Sequence, residues 1–251
     1  MESKEEQIKS FEEQRQKMEP VYKNGFEKFA RAVTDIENAF TLNDRTVRCI
    51  DEGTPGGIHS AGSGILMSEE AAVKAFKDAQ ADGITSHEGC GAAGIYAKEN
   101  GLDPSQSDQY GIDFAKKLAG EMGIPYNGHI GAEEMNRPIR FHNALIAYYD
   151  GTGNFDYSKA KELPAGFTVS RKYLDPKDAA KEAKLSIDIA LGGHGFGKDL
   201  IDGEKAKFIL AILGNPREGL DSETLKKELE EIAKEYGERV EIHQYTHSQF
   251  E

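Results

Sequence analysis

Apolar side chains recur at steps of three, four or seven along the first forty residues, and most positions between them are polar or charged. They are Ile8, Phe11, Met18, Tyr22, Phe26, Phe29, Val33, Ile36 and Phe40. This spacing places them on one face of a helix. Pro20 is expected to divide the stretch into two helices, because proline is not tolerated in mid-helix. Residues 1–40 are therefore predicted to form an N-terminal helical arm, which either packs on its own domain or embraces a partner subunit.

From residue 41 onward, short apolar runs alternate with helical patterns. The runs predict strands at 46–50, 84–86, 142–149, 207–213 and 239–243, and the patterns predict helices at 68–81, 91–99, 110–122, 176–191 and 222–236. Residues 150–153 are interpreted as the tight turn of a hairpin. The alternation favours one α/β domain over 41–251, with a mainly parallel sheet flanked by helices and no internal repeat. The last third is expected to add an αβ unit that extends this sheet.

The composition and charge of the chain narrow the range of functions that it can have. The 251 residues include 31 Lys and Arg against 44 Asp and Glu, a formal net charge of −13, and only two cysteines. The basic residues are interleaved with acids, which argues against a nucleic-acid surface. No apolar run approaches the roughly 20 residues that a membrane crossing needs, and the acidic start does not resemble a secretory signal. We expect a cytoplasmic protein with a small-molecule substrate, no nucleic-acid or membrane partner and no disulfide scaffold.

The candidate chemistry lies at the two cysteines. Cys49-Ile-Asp51 ends the first predicted strand, and His87-Glu-Gly-Cys90 follows the second. Carboxyl ends of neighbouring parallel strands meet at one edge of a sheet, so these side chains can converge. Two thiolates and one imidazole supply three corners of a zinc tetrahedron and leave the fourth for water or substrate. Cys90 would also lie at the start of a helix, where the helix dipole favours a thiolate.

Simpler interpretations exist for each residue alone. A buried cysteine is commonly just a small apolar side chain, and a histidine after a strand is commonly hydrogen-bonded rather than metal-bound. A disulfide between the cysteines is a further alternative, which a reducing cytoplasm disfavours. A metal site is favoured because both cysteines stand at strand ends beside an acid or an imidazole.

These segments resemble the zinc site of the β-class carbonic anhydrases. The family has Cys-x-Asp followed by His-x-x-Cys-Gly-Ala, as in Cys49-Ile-Asp51 and His87-Glu-Gly-Cys90-Gly-Ala92. Between them, His59-Ser-Ala-Gly-Ser63 is similar at Ala61 and Gly62 to a family loop. Tyr148-Tyr-Asp-Gly-Thr-Gly-Asn-Phe155 looks like a later hairpin of the family. The resemblance covers roughly residues 46–157, and the predicted arm fits the family's N-terminal arm.

The resemblance implies a β-carbonic-anhydrase-like fold and a lyase that hydrates carbon dioxide reversibly to bicarbonate. Cys49, His87 and Cys90 would bind Zn²⁺, and Asp51 would be the catalytic residue that accepts a hydrogen bond from the zinc-bound hydroxide. Two thiolates donate more charge than imidazoles would, so activity is expected to favour alkaline pH. The family implies a homodimer or a higher homo-oligomer. Five other histidines are candidate proton relays: His129, His142, His194, His243 and His247.

One departure leaves alternatives open. The family motif continues Cys-x-Asp-x-Arg, and here the arginine position is Gly53. In the family that arginine holds the aspartate off the metal, so its absence leaves open the alternative that Asp51 ligates zinc and closes the site. Arg48 is expected to point to the opposite face of the sheet, which leaves His59 as the better replacement donor. The alternative functions are a hydrolase of carbonyl sulfide or carbon disulfide and a non-catalytic structural or regulatory zinc protein.

Overall fold

The structure is a computed structural model that describes residues 4–139, 141–196 and 207–251. The helices are α1 (Lys4–Asn24), α2 (Phe26–Ala30), α3 (Ile36–Ala39), α4 (Glu69–Asp78), α5 (Gly91–Glu99), α6 (Ser107–Met122), α7 (Pro176–Leu191) and α8 (Ser222–Tyr236). The strands are β1 (Thr46–Arg48), β2 (Ile58–His59), β3 (Gly83–His87), β4 (Tyr126–Ile130), β5 (Ile146–Asp150), β6 (Phe167–Val169), β7 (Phe208–Gly214) and β8 (Val240–Thr246).

The strands form two four-stranded sheets, with the orders β2-β1-β3-β4 and β6-β5-β7-β8. Every strand pair in both sheets is parallel, and α-helices lie between the second, third and fourth strands of each sheet. The predicted α/β class with parallel strands flanked by helices is therefore confirmed. The expectation that the last third extends a single sheet is wrong, because β5–β8 form a sheet of their own. We call residues 46–130 the N-terminal unit and residues 146–246 the C-terminal unit.

The two sheets meet at the edges that carry β2 and β6. The backbone N–H of Thr168 donates to the carbonyl of Ile50 over 3.0 Å, and that of Ser170 donates to the carbonyl of His59 over 3.1 Å. The Ser170 hydroxyl accepts the His59 N–H over 2.9 Å. The edge of the C-terminal unit therefore rests on the segments that follow β1 and contain β2.

The N-terminal helix lies on its own chain, which is the first of the two arrangements expected for it. The ring of Phe11 packs against Phe141 and Phe196, with centroids 5.6 and 6.1 Å apart. The Tyr22 hydroxyl donates to the Lys207 carbonyl over 2.7 Å. The segment thus covers the C-terminal unit.

The predicted break at Pro20 is wrong. Helix α1 runs through this proline, which lies in the last turns of the helix and is exposed. The carbonyl that loses a partner to proline can be hydrated there, so the cost of the missing hydrogen bond is reduced. The helix ends instead before Gly25, whose φ of +79° favours glycine.

The predicted hairpin at 150–153 is also wrong, because the segment after β5 does not pair with it. Asp150 instead organises the turn, since its carboxylate accepts hydrogen bonds from the N–H and the hydroxyl of Thr152 over 2.8 and 2.6 Å. An aspartate that binds the backbone two residues later forms a turn by itself, without a returning strand.

None of the described helices has the length and apolar character required to cross a membrane.

Candidate metal centre

Three donor side chains converge where β1 and β3 end. These strands pair in parallel, so Cys49 just after β1 lies beside His87 at the end of β3. Cys90 caps the N-terminus of α5, three residues further on. The two sulfurs are 3.9 Å apart, and the three donor atoms all lie within 4.8 Å of one another. The predicted convergence is confirmed, and the cluster is compatible with a bound metal ion.

The burial and the hydrogen bonding of these three side chains favour the binding of a cation. Cys49 and Cys90 are each 6% exposed and His87 3%. His87 Nδ1 donates to the Glu88 carbonyl over 3.0 Å, an assignment that leaves Nε2 as the atom whose lone pair can bind a metal ion once its proton is lost. His87 Nε2 is buried and has no hydrogen-bond partner among the described residues. A buried nitrogen without a partner is costly, and a metal ion in the cluster would satisfy it.

Charges within the cluster shift its proton equilibria. The hydrogen bond with Cys49, together with backbone N–H groups at the start of α5, lowers the pKa of Cys90. The same contact and burial raise the pKa of Cys49. Burial lowers the pKa of His87, but the negative charges of Cys49 and Asp51 outweigh this and raise it to about 9. Protons therefore compete with a metal ion for Cys49 and His87, and metal affinity should fall as the pH falls.

The loop after β2 supports the first sulfur. The backbone N–H of Gly62 donates to Cys49 Sγ over 3.2 Å. Gly62 has φ +55°, and a Cβ there would lie 2.6 Å from Ile65 Cγ2. Glycine adopts this backbone conformation without strain, and any larger residue would also have to displace the Ile65 side chain.

An arginine from a distant loop binds the catalytic candidate. Asp51 is 5% exposed, and Arg137 Nε and Nη2 donate to its two oxygens over 2.7 and 3.1 Å. Burial would raise the pKa of Asp51, but the positive charges of His87, His142 and Arg137 outweigh it and hold that pKa well below its usual range. Asp51 is therefore a carboxylate fixed by a two-pronged ion pair.

Gly53 makes room for this arginine. A Cβ at position 53 would lie 2.8 Å from Arg137 Cγ and 2.8 Å from Met135 Cε. The absence of a side chain at Gly53 thus leaves the space through which Arg137 reaches Asp51. The expectation that His59 replaces the arginine is wrong, because its Nδ1 lies 2.7 Å from the Cys49 carbonyl. Arg48 binds Asp44 over 2.7 Å.

A second ion pair borders the aspartate. His142 Nδ1 lies 2.8 Å from Glu52 Oε2 and 4.0 Å from Asp51 Oδ2. Burial lowers the pKa of His142, but Glu52 outweighs it and raises that pKa. These three residues also bring donor atoms within 4.8 Å of one another. Arg137 and His142 already supply the positive charge there, so we place the metal ion at the cysteine cluster alone.

A cleft of about 1000 Å³ lies next to the cluster. Its lining includes Gly89 and Gly91 on either side of Cys90, together with Arg137, His142 and His194. Small molecules can therefore reach the residues that surround the donors. Arg137 and His142 both border this cleft and lie beside Asp51.

Three of the other histidines have partners elsewhere. His129 Nδ1 lies 2.9 Å from the Ser86 hydroxyl. His243 Nδ1 accepts the Phe26 N–H, and His247 Nδ1 accepts the Gln249 N–H. Sequence spacing did not distinguish among the five candidate proton relays. Of these five, His142 is the one that the structure shows beside Asp51.

A buried carboxyl group on α7 supports the loop that follows β2. Glu182 on α7 is 3% exposed, and its Oε1 accepts a hydrogen bond from the Ser60 hydroxyl over 2.6 Å. Burial raises the pKa of Glu182 to about 8. Burial therefore favours the protonated form of this carboxyl group in the folded chain.

Glu182→Gln is expected to change how stability depends on pH. The folded pKa of Glu182 exceeds its ordinary value of 4.5, so its contribution is full below pH 4.5 and is lost as the pH rises toward 8. The loss runs at about 1.4 kcal/mol per pH unit between these values. Urea unfolding at several pH values should show wild-type stability falling relative to the variant by several kcal/mol over this window. Parallel pH profiles would contradict the assignment.

Comparison of the chain with protein-family models, with curated proteins and with solved structures finds no match.

Proposed function

We propose that the chain is a zinc enzyme that hydrates carbon dioxide reversibly to bicarbonate, and that it is a divergent relative of the β-class carbonic anhydrases. The observation that carries the proposal is the pairing of a buried Cys49, His87 and Cys90 cluster with an arginine-bound Asp51. This pairing supplies three metal ligands and a separate carboxylate close to them, which is the set that the motif resemblance implies.

Zinc suits the donor set. Thiolate and imidazole ligands in a tetrahedral arrangement favour zinc over the hard cations that prefer oxygen. Two sulfurs that each lie about 2.3 Å from one ion at the tetrahedral angle would be about 3.8 Å apart. The observed distance between the sulfurs is 3.9 Å. When bound, zinc supplies a Lewis acid that brings the pKa of a coordinated water toward neutrality.

Asp51 serves as the hydrogen-bond acceptor that orients the attacking water. Its Oδ2 lies 4.0 Å from His87 Nε2, so a water held by an ion in the cluster would be within its reach. Arg137 occupies both carboxylate oxygens with hydrogen bonds. A carboxylate held in this way is restrained from becoming a fourth protein ligand. This supports an open site over the closed site of a structural zinc protein.

His142 provides the proton route. Hydration releases a proton at each turnover, and that proton must leave a buried site. His142 lies 4.0 Å from Asp51, pairs with Glu52 and borders the cleft. A histidine between the reacting centre and solvent suits this transfer.

Stopped-flow measurement of carbon dioxide hydration on protein of known zinc content tests the proposal. The rate is expected to rise with pH, because two thiolates keep the pKa of the coordinated water above that of an all-histidine site. Asp51→Asn should lower kcat/KM about a hundredfold or more while zinc is retained. The conservative change keeps the shape of the side chain, so the loss would report its charge.

Two results would contradict the proposal. Zinc-loaded wild-type protein that does not hydrate carbon dioxide at any pH would remove the function. Unchanged turnover in Asp51→Asn would remove Asp51 from the mechanism. Carbonyl sulfide in the same assay tests the alternative hydrolase, since faster turnover of that substrate would assign it instead.

A further inference from the structure

The two units of the chain share one topology. In each unit the second strand lies outside the first, and the third and fourth follow on the other side. Among the described residues, α4 or α7 lies between the second strand and the third, and α5 and α6 or α8 lie between the third strand and the fourth. The sequence shows no repeat, so the similarity lies in the fold alone.

The first strands of the two units end alike. Asp51 accepts the N–H of Gly53, and Asp150 accepts the N–H of Thr152, each over 2.8 Å. Matching these aspartates places Tyr148 at the position that corresponds to Cys49. Within the described part of the C-terminal unit, no three metal donor atoms come together. The C-terminal unit thus has the topology of the site without its ligands.

Other side chains fill the equivalent edge of the C-terminal unit. Near the carboxyl ends of β5 and β6, Arg171 donates to both oxygens of Glu228 over 2.7 and 2.8 Å. The Tyr149 hydroxyl donates to the same carboxylate over 2.7 Å. This buried network makes the edge a structural element of the C-terminal unit.

The C-terminal unit instead contacts the loops around the metal centre. Ser170 exchanges two hydrogen bonds with His59, and Glu182 holds Ser60. The Tyr157 hydroxyl donates to the Glu52 carbonyl. His59 and Ser60 lie just before Gly62, whose N–H donates to Cys49 Sγ. The residues that contact the C-terminal unit are therefore only a few positions from a residue that supports a proposed metal ligand.

We propose that the C-terminal unit is a ligand-free counterpart that takes, within one chain, the place of a partner subunit. It braces the loops that hold the metal ligands, and the chain therefore completes its single metal site as a monomer. Ser170 is a positioning residue in this arrangement, because it acts on the site through His59 and Gly62. The inference concerns assembly and metal binding and does not depend on which reaction the site performs.

Light scattering on the zinc-loaded full chain tests the assembly. The mass of one chain with one zinc ion is expected across concentrations from about 1 to 100 µM. Over this range a dimer with a dissociation constant of micromolar order would partly dissociate. A dimer that persists on dilution, or a dimer whose dissociation releases the metal, would overturn the proposal. This measurement uses the wild-type chain and does not depend on any variant folding.

A matched pair of serines tests the bracing role. Ser170 and Ser186 are 2% and 0% exposed, but the Ser186 hydroxyl donates to Ala183 within its own helix. Ser170→Ala is expected to weaken zinc binding about tenfold in competition with a chelator, as the loss of one buried hydrogen bond predicts. Ser186→Ala should leave zinc affinity unchanged while losing a similar amount of thermal stability. Equal zinc affinities in the two variants would show that Ser170 has no role in the site.

Discussion

Replacing Arg137 with alanine is expected to lower kcat/KM for carbon dioxide hydration about a thousandfold. Asp51 is buried, and each of its oxygens accepts a hydrogen bond from this guanidinium, while Oδ1 also accepts the Gly53 N–H. Without the guanidinium, Oδ2 loses its hydrogen bond and can turn toward the cysteine cluster, where it would occupy the coordination position that the reaction needs open. The variant should also lose about 3–5 kcal/mol of stability, because a buried charge is left without its partner. Stopped-flow assays and urea unfolding measure the two effects.

The metal coordination of the Arg137→Ala variant distinguishes a site closed by Asp51 from a loss of activity through unfolding. Cobalt-substituted Arg137→Ala protein is expected to keep its metal but to lose the response of its visible spectrum to pH, as a site closed by Asp51 would. Arg137→Lys keeps the charge without the two-pronged geometry and should recover only part of the activity. The double variant Gly53→Arg with Arg137→Ala places the arginine where the carbonic anhydrase motif has it. It should recover more activity than Arg137→Lys does. A fully active Arg137→Ala variant would refute the role of the ion pair.

Loss of one sulfur is expected to abolish stable metal binding. Cys49→Ser and Cys90→Ser should each weaken zinc affinity at least about a thousandfold, since even the loss of an outer partner of a metal ligand costs about 10–100-fold. The thermal stability of both variants should then be insensitive to added zinc, because a ligand stabilises only the state that binds it. Chelator competition and thermal unfolding with and without zinc measure these effects.

His129→Ala is the matched control for these ligand variants. His129 lies on the neighbouring strand β4 and contacts Ser86 rather than the cluster. It should retain full zinc affinity. The wild-type affinity should also fall as the pH is lowered from about 9 to 6, because protons compete for His87 and Cys49. Zinc binding that survives either serine substitution would place the metal elsewhere in the chain.

The convergence of Cys49, His87 and Cys90 was predictable because it follows from strand direction. Cys49 and His87 stand at the ends of two apolar runs, and neighbouring parallel strands present their ends at one edge. The cap at Cys90 follows from the helical pattern that begins at Gly91. Local patterns thus contain the information for all three donors.

The partners of Asp51 could not be predicted in this way. Arg137 is 86 residues away along the chain and lies in a loop without a periodic pattern. His142 lies just before β5 and approaches Asp51 only because the two units pack together. The one local signal was Gly53, since a glycine at the arginine position leaves space that another side chain can enter. The sequence showed the missing charge but not its replacement.

The second sheet was missed for a related reason. Strands β2 and β6 have only two and three residues, too few for an alternating pattern to be recognised. β4 contains Asn127 and Gly128, which are typical of turns. Without these strands, the sequence predicts one sheet extended at its end. The repeated strand order becomes visible only when the pairing is known.

X-ray absorption at the zinc edge of the purified wild-type chain, combined with its metal content, tests the central claim most directly. The account predicts one zinc ion per chain with two sulfur ligands at about 2.3 Å, one imidazole nitrogen at about 2.0 Å and a fourth, exchangeable ligand from solvent. A chain without stoichiometric metal, or a coordination shell without two sulfurs, would contradict it.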